Sequence, residues 1–351
     1  MSGQRRSYTR PIELGIPYGL VVLAAVGGAI AIPGFLSPGH LSVMAQTAAY
    51  IGIIAIGQTL VLLVGGIDLS VPYIINLSAV LLVGFQASGL SPGTDFLLVL
   101  VVGLGAGIVN GLGISLLEVS PLVMTLGMNS ILEGVAIIYS HGSPQGNAPG
   151  FVTTLSTGSA GIPYVVVLWI VLIAIVTVVL VFTRLGRNIY GIGSNRAASE
   201  LCGLPVKRTI IVAYAVSGLS CALGGVLLAG YSGQAYIGMG DNYLLPSVAI
   251  VVIGGTSLAG GKGSYLQTVA GAALITVIQS ALVTINMNQA GQDVLYGTAI
   301  LLMAFLNQFA LGRNTERPKM WSWGRGALRG WLQPVGRGPG VAVPATEQKE
   351  A

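Results

Sequence analysis

The chemically capable residues of this sequence are scattered rather than grouped. Its 351 residues include 11 Asp and Glu, two His and two Cys. They contain no Ser-His-Asp set, no HExxH and no paired carboxylates, so neither hydrolysis nor metal chemistry has the constellation it needs. His40 and His141 stand alone. Cys202 falls in a polar stretch and Cys221 in an apolar run, a placement that suits neither a disulfide nor a metal site. The run VVIGGTSLAGGKGS, Val251–Ser264, invites a phosphate-loop reading. Such a loop needs Gly, four residues, then Gly-Lys and Ser or Thr. Thr256 stands where the first glycine belongs, and Gly263 follows Lys262. The match fails at both ends, so this chain is expected to bind no nucleotide. Gly254 and Gly255 read instead as part of a tight turn between packed helices.

A second set of polar residues lies in or beside long apolar runs: Gln58, Asp68, Asn76, Asn110, Asn129, Glu133 and Gln279. Most are neutral. A path for a hydroxyl-rich solute uses such groups, whereas an ion pump uses paired charges. Each also has a plainer role in packing helix against helix. Asp68, in GGIDLSVP, is suited to cap a following helix together with Ser70, with Pro72 in its first turn. The run VLLVGGIDLS, Val61–Ser70, is similar to IVVIGGTSLA, Ile250–Ala259, a hint of an internal repeat. Glu133 is an acid with no basic residue near it in sequence.

The third set is one basic segment, TRLGRNIYGIGSNRAASELCGLPVKR, Thr183–Arg208, which holds five of the 16 Lys and Arg residues. Ser194 or Asn195 is a suitable helix cap, and Arg196, Ala197, Ala198, Ser199, Glu200, Leu201 and Cys202 then make about two turns. Gly203 suits the position after the helix end, and Pro205 blocks continuation. Arg196 and Glu200 are spaced to pair along one face. A short polar helix between two apolar runs is a good docking lug for another protein.

These residues are positioned by an oily chain. Hydrophobic residues make up 53% and charged residues only 8%, against about 25% charged in a soluble domain. Mean hydropathy is +0.82. A soluble core cannot hide so much apolar surface, so the expected fold is an all-α, multi-pass membrane protein with the 52 glycines letting helices approach closely. At about 20 residues per crossing, ten spans are expected, near 16–36, 41–64, 70–88, 95–117, 121–140, 163–183, 209–231, 244–260, 264–285 and 291–311. The first is an anchor, lacking the exit of a cleaved signal. Residues 1–15 and 312–351 flank the membrane region, and 184–208 is its large polar loop. Arg5, Arg6 and Arg10 precede the first span, Lys262 lies between the eighth and ninth, and the last seven basic residues follow the tenth. With ten spans and a cytoplasmic N-terminus, every basic residue falls on the cytoplasmic side. The C-terminus is then cytoplasmic too. Its tail interleaves Trp321, Trp323 and Trp331 with basic residues, a composition that suits either a lipid surface or disorder. His141–Ile162 is the longest external segment and carries no basic residue. It is a connector or a landing place for an external partner.

Thr183–Asn195 with Arg196–Val206, VVIGGTSLAGGKGS, GGIDLS and YSHGSP (Tyr139–Pro144) occur in one order. In these motifs, and over roughly residues 40–312, the chain resembles the permease subunits of ABC importers for ribose and related simple sugars. The resemblance implies a ten-span permease of a bacterial inner membrane, paired with a second permease copy. It implies a cytoplasmic ATPase that uses ATP-Mg, and a sugar-binding protein outside, with no role for nucleic acid. It also implies that Ser194–Pro205 is the helix that couples the ATPase to the membrane region. The chain departs from the family pattern at Pro72, where Gly is typical, at Glu133, where a basic residue is common, and in its long tail. The alternatives are another small polar solute such as a nucleoside or furanone signal, or a secondary transporter. The latter needs an ion site, for which Glu133 is the candidate.

Overall fold

The computed structural model describes residues 11–158 and 163–312. The basic N-terminal residues and the Trp-containing tail lie outside them. The chain divides into two compact units, Met1–Phe305 and Leu306–Ala351. The fold below is that of the first unit; of the second, only the end of the last helix, to Gly312, is described.

Among the described residues the ordered elements are all helical. In chain order they are α1 (Pro11–Ala31), α2 (Pro38–Leu63), α3 (Val71–Ala87), α4 (Pro92–Leu116), α5 (Pro121–Ser140), α6 (Gly150–Thr157), α7 (Tyr164–Phe182), α8 (Arg184–Ser194), α9 (Arg196–Leu201), α10 (Val206–Ser232), α11 (Leu244–Ile253), α12 (Tyr265–Thr284) and α13 (Gln289–Gly312). A 3-10 turn, Asp241–Tyr243, leads into α11. Proline opens α2, α3, α4 and α5 at the first or second helical position, where its missing N–H costs nothing. Among the described residues six helices are long and apolar enough to cross a membrane: α2, α4, α5, α7, α10 and α12.

α10 is the central post, packed against α2, α3, α4 and α6. Small residues make this possible. Gly218 of α10 lies against the backbone of Gly103 and Gly107 on α4, and Gly57 of α2 lies against Ser217. Van der Waals contact of this kind replaces the hydrophobic effect as the driving force between helices in lipid. The outward faces of α1, α4, α5 and α7 carry exposed Leu, Ile and Val, as a lipid-facing surface requires.

Two sequence expectations change. The span expected over 244–260 is a helix only over its first ten residues, α11, which rises about 15 Å. That is about half of the hydrocarbon thickness. The irregular stretch 234–240 precedes α11. This stretch leaves the end of α10, where Gly233 O accepts from Ala148 N, and returns to the first turn of α3, where Gly240 lies against the Pro72 carbonyl. Bare backbone at membrane depth must be satisfied by protein, and the Asn76 side chain does this for Gly238 N at 3.0 Å. The other change is in the segment 141–162, which contains α6. Tyr50 OH of α2 donates to Ser156 O there at 2.8 Å, so α6 packs on the bundle.

Candidate functional site

Thr183 opens α8: its Oγ1 accepts from Gly186 N at 3.3 Å. Leu185, Ile189 and Ile192 line the inward face of α8 while Arg184 and Arg187 are exposed. The helix is therefore a bracket pressed along the bundle end. Its last turn is clamped. Gly193 lies so close to Leu63 O of α2 and Gly261 N that a Cβ there would overlap both, and Gly261 N itself donates to Leu63 O at 2.9 Å. Tyr190 OH donates to Gly263 O at 2.9 Å. Burial pushes the Tyr190 phenol up from its ordinary value, so it remains a donor.

α9 projects from this bracket. Asn195 is its cap, with Oδ1 accepting from Ala198 N at 3.0 Å. Ser194, the other candidate, instead donates to Tyr190 O at 2.7 Å within α8. The helix ends as expected. Gly203 takes φ +72°, its N–H meets Glu200 O, and Leu204 N meets Ser199 O, the two bonds of a Schellman turn. Pro205 then precedes α10. Arg196 Nε and Glu200 Oε1 pair at 3.3 Å. Both are about half exposed, so the pair contributes about 1 kcal/mol or less. Within α9 only Ser199 is buried; Ala197 and Ala198 are exposed and Leu201 is 91% exposed. Leu201 thus stands bare on a capped helix that follows the clamped end of α8. A groove beside it is lined by Glu118, Ser120, Pro121, Arg196 and Glu200.

The polar residues of the bundle fall into separate groups. Asp68, Ser70, Asn110 and Ser217 form one buried network. Asp68 Oδ1 accepts from Ser70 N at 2.9 Å and from Ser70 Oγ, and Oδ2 accepts from Ser217 Oγ at 2.7 Å. Asn110 Nδ2 donates to Ser70 Oγ at 2.9 Å. This corrects the capping expectation: Asp68 binds Ser70 rather than the first free N–H groups of α3, and it ties the α2–α3 loop to α4 and α10. Burial pushes the Asp68 carboxyl up, and the bonds from Ser70 and Ser217 pull it back down. Glu133 has a partner the sequence did not reveal, Tyr73 OH, at 2.8 Å. Asn76 holds Gly238 as described. Gln58 is fully buried with both side-chain polar atoms unpaired, and Asn129 and Gln279 each keep one unpaired buried oxygen. His40 is not isolated: Nδ1 donates to Phe35 O at 2.8 Å, and Nε2 therefore accepts from Ser280 Oγ at 2.6 Å. Among the described residues no cluster of His, Cys, Asp and Glu is grouped to hold a metal ion.

Gly254 and Gly255 sit where α11 ends. Gly255 N meets Val252 O and Thr256 N meets Val251 O, while after α2 Gly65 N meets Leu62 O and Gly66 N meets Val61 O. The glycine after each helix has positive φ, +85° at Gly65 and +107° at Gly255. Asp68 Oδ1 then accepts from the N–H two residues on, as Ser257 Oγ does from Ala259 N. Both runs thus end a helix in the same kind of turn, offset by one residue against the sequence match.

A family model described as branched-chain amino acid transport system / permease component matches residues 41–304. The chain is 34% identical to a probable ABC transporter permease protein y4mJ of Sinorhizobium fredii, over 86% of this chain and 90% of that one. It is 33% identical to the ribose import permease protein RbsC of Bacillus subtilis, over 84% and 92%. It is 32% identical to the fructose import permease protein FrcC of Rhizobium meliloti, over 84% and 85%. No solved structure matches the chain. With three quarters of its length inside the family match, the chain belongs to the branched-chain amino acid transport system / permease component family and is a multi-pass ABC transporter permease.

Proposed function

We propose that the chain is the membrane subunit of an ATP-driven importer of a simple sugar, ribose or a close relative of it. Relatives that import ribose and fructose support the solute class. The observation that carries the coupling is the bare, clamped α9 with Leu201 91% exposed. In this reading the chain pairs with a second permease copy in a bacterial inner membrane, with lipid around it and both termini cytoplasmic. A separate ATPase, using ATP-Mg, docks on Ser194–Pro205 and pushes α8. A sugar-binding protein lands at the opposite end, near α6. The chain itself is non-catalytic and holds no cofactor. Asn129, Gln279 and Gln58 are candidate path residues because each keeps unpaired buried polar atoms.

Docking has a direct test, because Cys202 is exposed beside Leu201 while Cys221 is buried. A photoactivatable maleimide on Cys202 is expected to cross-link to the partner ATPase. Labelling that yields cross-links only to lipid, with the ATPase bound elsewhere, would overturn the docking assignment.

A further inference from the structure

The geometry points to a solute-binding site inside the bundle, formed by Tyr73, Glu133, Asp241 and the Asn76 amide, that takes neutral polyhydroxy solutes and rejects anions. It rests on the permease reading and adds to it where, and with what selectivity, the solute is held.

Three elements converge there. Tyr73 is on α3 and Glu133 on α5, joined by the 2.8 Å hydrogen bond. Glu133 lies twelve residues past Pro121, about 18 Å along α5 and well inside that candidate span. Asp241 is on the 3-10 turn that packs against α3. Asn76, one turn beyond Tyr73 on α3, is fully buried. Its Oδ1 accepts from Gly238 N, which fixes the orientation of the amide, and Gly238 stands beside the Asp241 carboxylate. Asn76 Nδ2 is left with no partner. A buried, unpartnered donor is costly unless a ligand or water completes it, so it is a hydrogen bond that a solute hydroxyl can take up.

The accessibility fits. Tyr73 and Glu133 are half-buried, and Asp241 and Asn242 are exposed. Acids facing hydrocarbon are expensive, so this face fronts water, solute or protein. The ion pair found among the described residues is Arg196–Glu200, so neither Glu133 nor Asp241 is neutralised by one. Two carboxylates supply acceptors for hydroxyl donors, as short charge-assisted bonds. The Asn76 N–H supplies a donor for a hydroxyl or ring oxygen. The same unneutralised pair repels a carboxylate or phosphate solute.

The test is saturation-transfer NMR on the full chain in nanodiscs, which reads weak binding without partner proteins. The probes are ribose and ribonate. Wild type is expected to give transfer to ribose and none to ribonate. Tyr73→Phe and Glu133→Gln are expected to weaken ribose binding about tenfold, with thermal melting of Tyr73→Phe unchanged. Ribonate is expected to gain signal in the Glu133→Gln/Asp241→Asn double variant. Equal ribose transfer in wild type and both single variants would overturn the site, as would no ribose transfer in wild type. Ribonate transfer in wild type would overturn the selectivity. Failure of the permease reading itself appears elsewhere, as absence of ATP-dependent uptake by the assembled transporter.

Discussion

Asp68 shows how much one side chain can hold inside a membrane bundle. It accepts three hydrogen bonds and ties together the α2–α3 loop and α10. Asp68→Ala strands Ser70 N–H and two hydroxyls, each worth about 1–3 kcal/mol when buried without a partner. The variant is expected to melt well below wild type in detergent, and Asp68→Asn, which keeps an acceptor oxygen, much less so. At the other end of the scale is Asn195, whose cap on α9 is exposed. Asn195→Ala is expected to cost about 1 kcal/mol, confined to α9, seen as faster amide exchange at Ala198 with no change elsewhere. The capping of α9 was legible because Asn195, Gly203 and Pro205 act through backbone geometry a few residues away. The Glu133 partner was not legible: Tyr73 is 60 residues distant and nothing local in either sequence names the other.

The elements show where periodicity stops being informative. α8 has its signals in the sequence, Thr183 as cap and Leu185, Ile189 and Ile192 at helical spacing, but glycines at 186, 191 and 193 disguise them. The structure gives those glycines a purpose, since Gly193 lets α8 touch the Leu63 carbonyl. Gly193→Ala is expected to preserve membrane insertion while displacing α8, leaving basal ATP hydrolysis by the bound ATPase intact and reducing its solute stimulation severalfold. A variant stimulated as strongly as wild type would remove α8 from the transmission path. α11 departs from expectation for a different reason. Apolar residues continue to Ile253 and carry the expected span on to 260, but the tight turn expected of Gly254 and Gly255 ends the helix there. Tertiary contacts with α12 hold that end, since Gly271 lies against Ile250 O.

For the whole molecule, the structure departs from the expected spans most at α11, which ends at Ile253. The span expected over 244–260 is a helix only over Leu244–Ile253, and the chain turns at Gly255. α8, α9 and the 254–264 turn consequently share one end of the bundle, clamped together at Gly193, while α6 and Ala148 lie by the end of α10. A projecting helix at one end and a packed cap at the other is the layout that the proposed coupling would use. In the proposed function, ATP hydrolysis by the partner reaches this chain through α9. The most direct measurement is ATP-dependent ribose uptake into proteoliposomes holding the chain, its ATPase and its binding protein, for wild type and Leu201→Glu. Leu201 is bare, so the substitution is expected to change stability by no more than about 0.5 kcal/mol while lowering uptake and solute-stimulated hydrolysis at least about tenfold. Uptake by the chain alone, indifferent to ATP and to Leu201→Glu, would contradict the account.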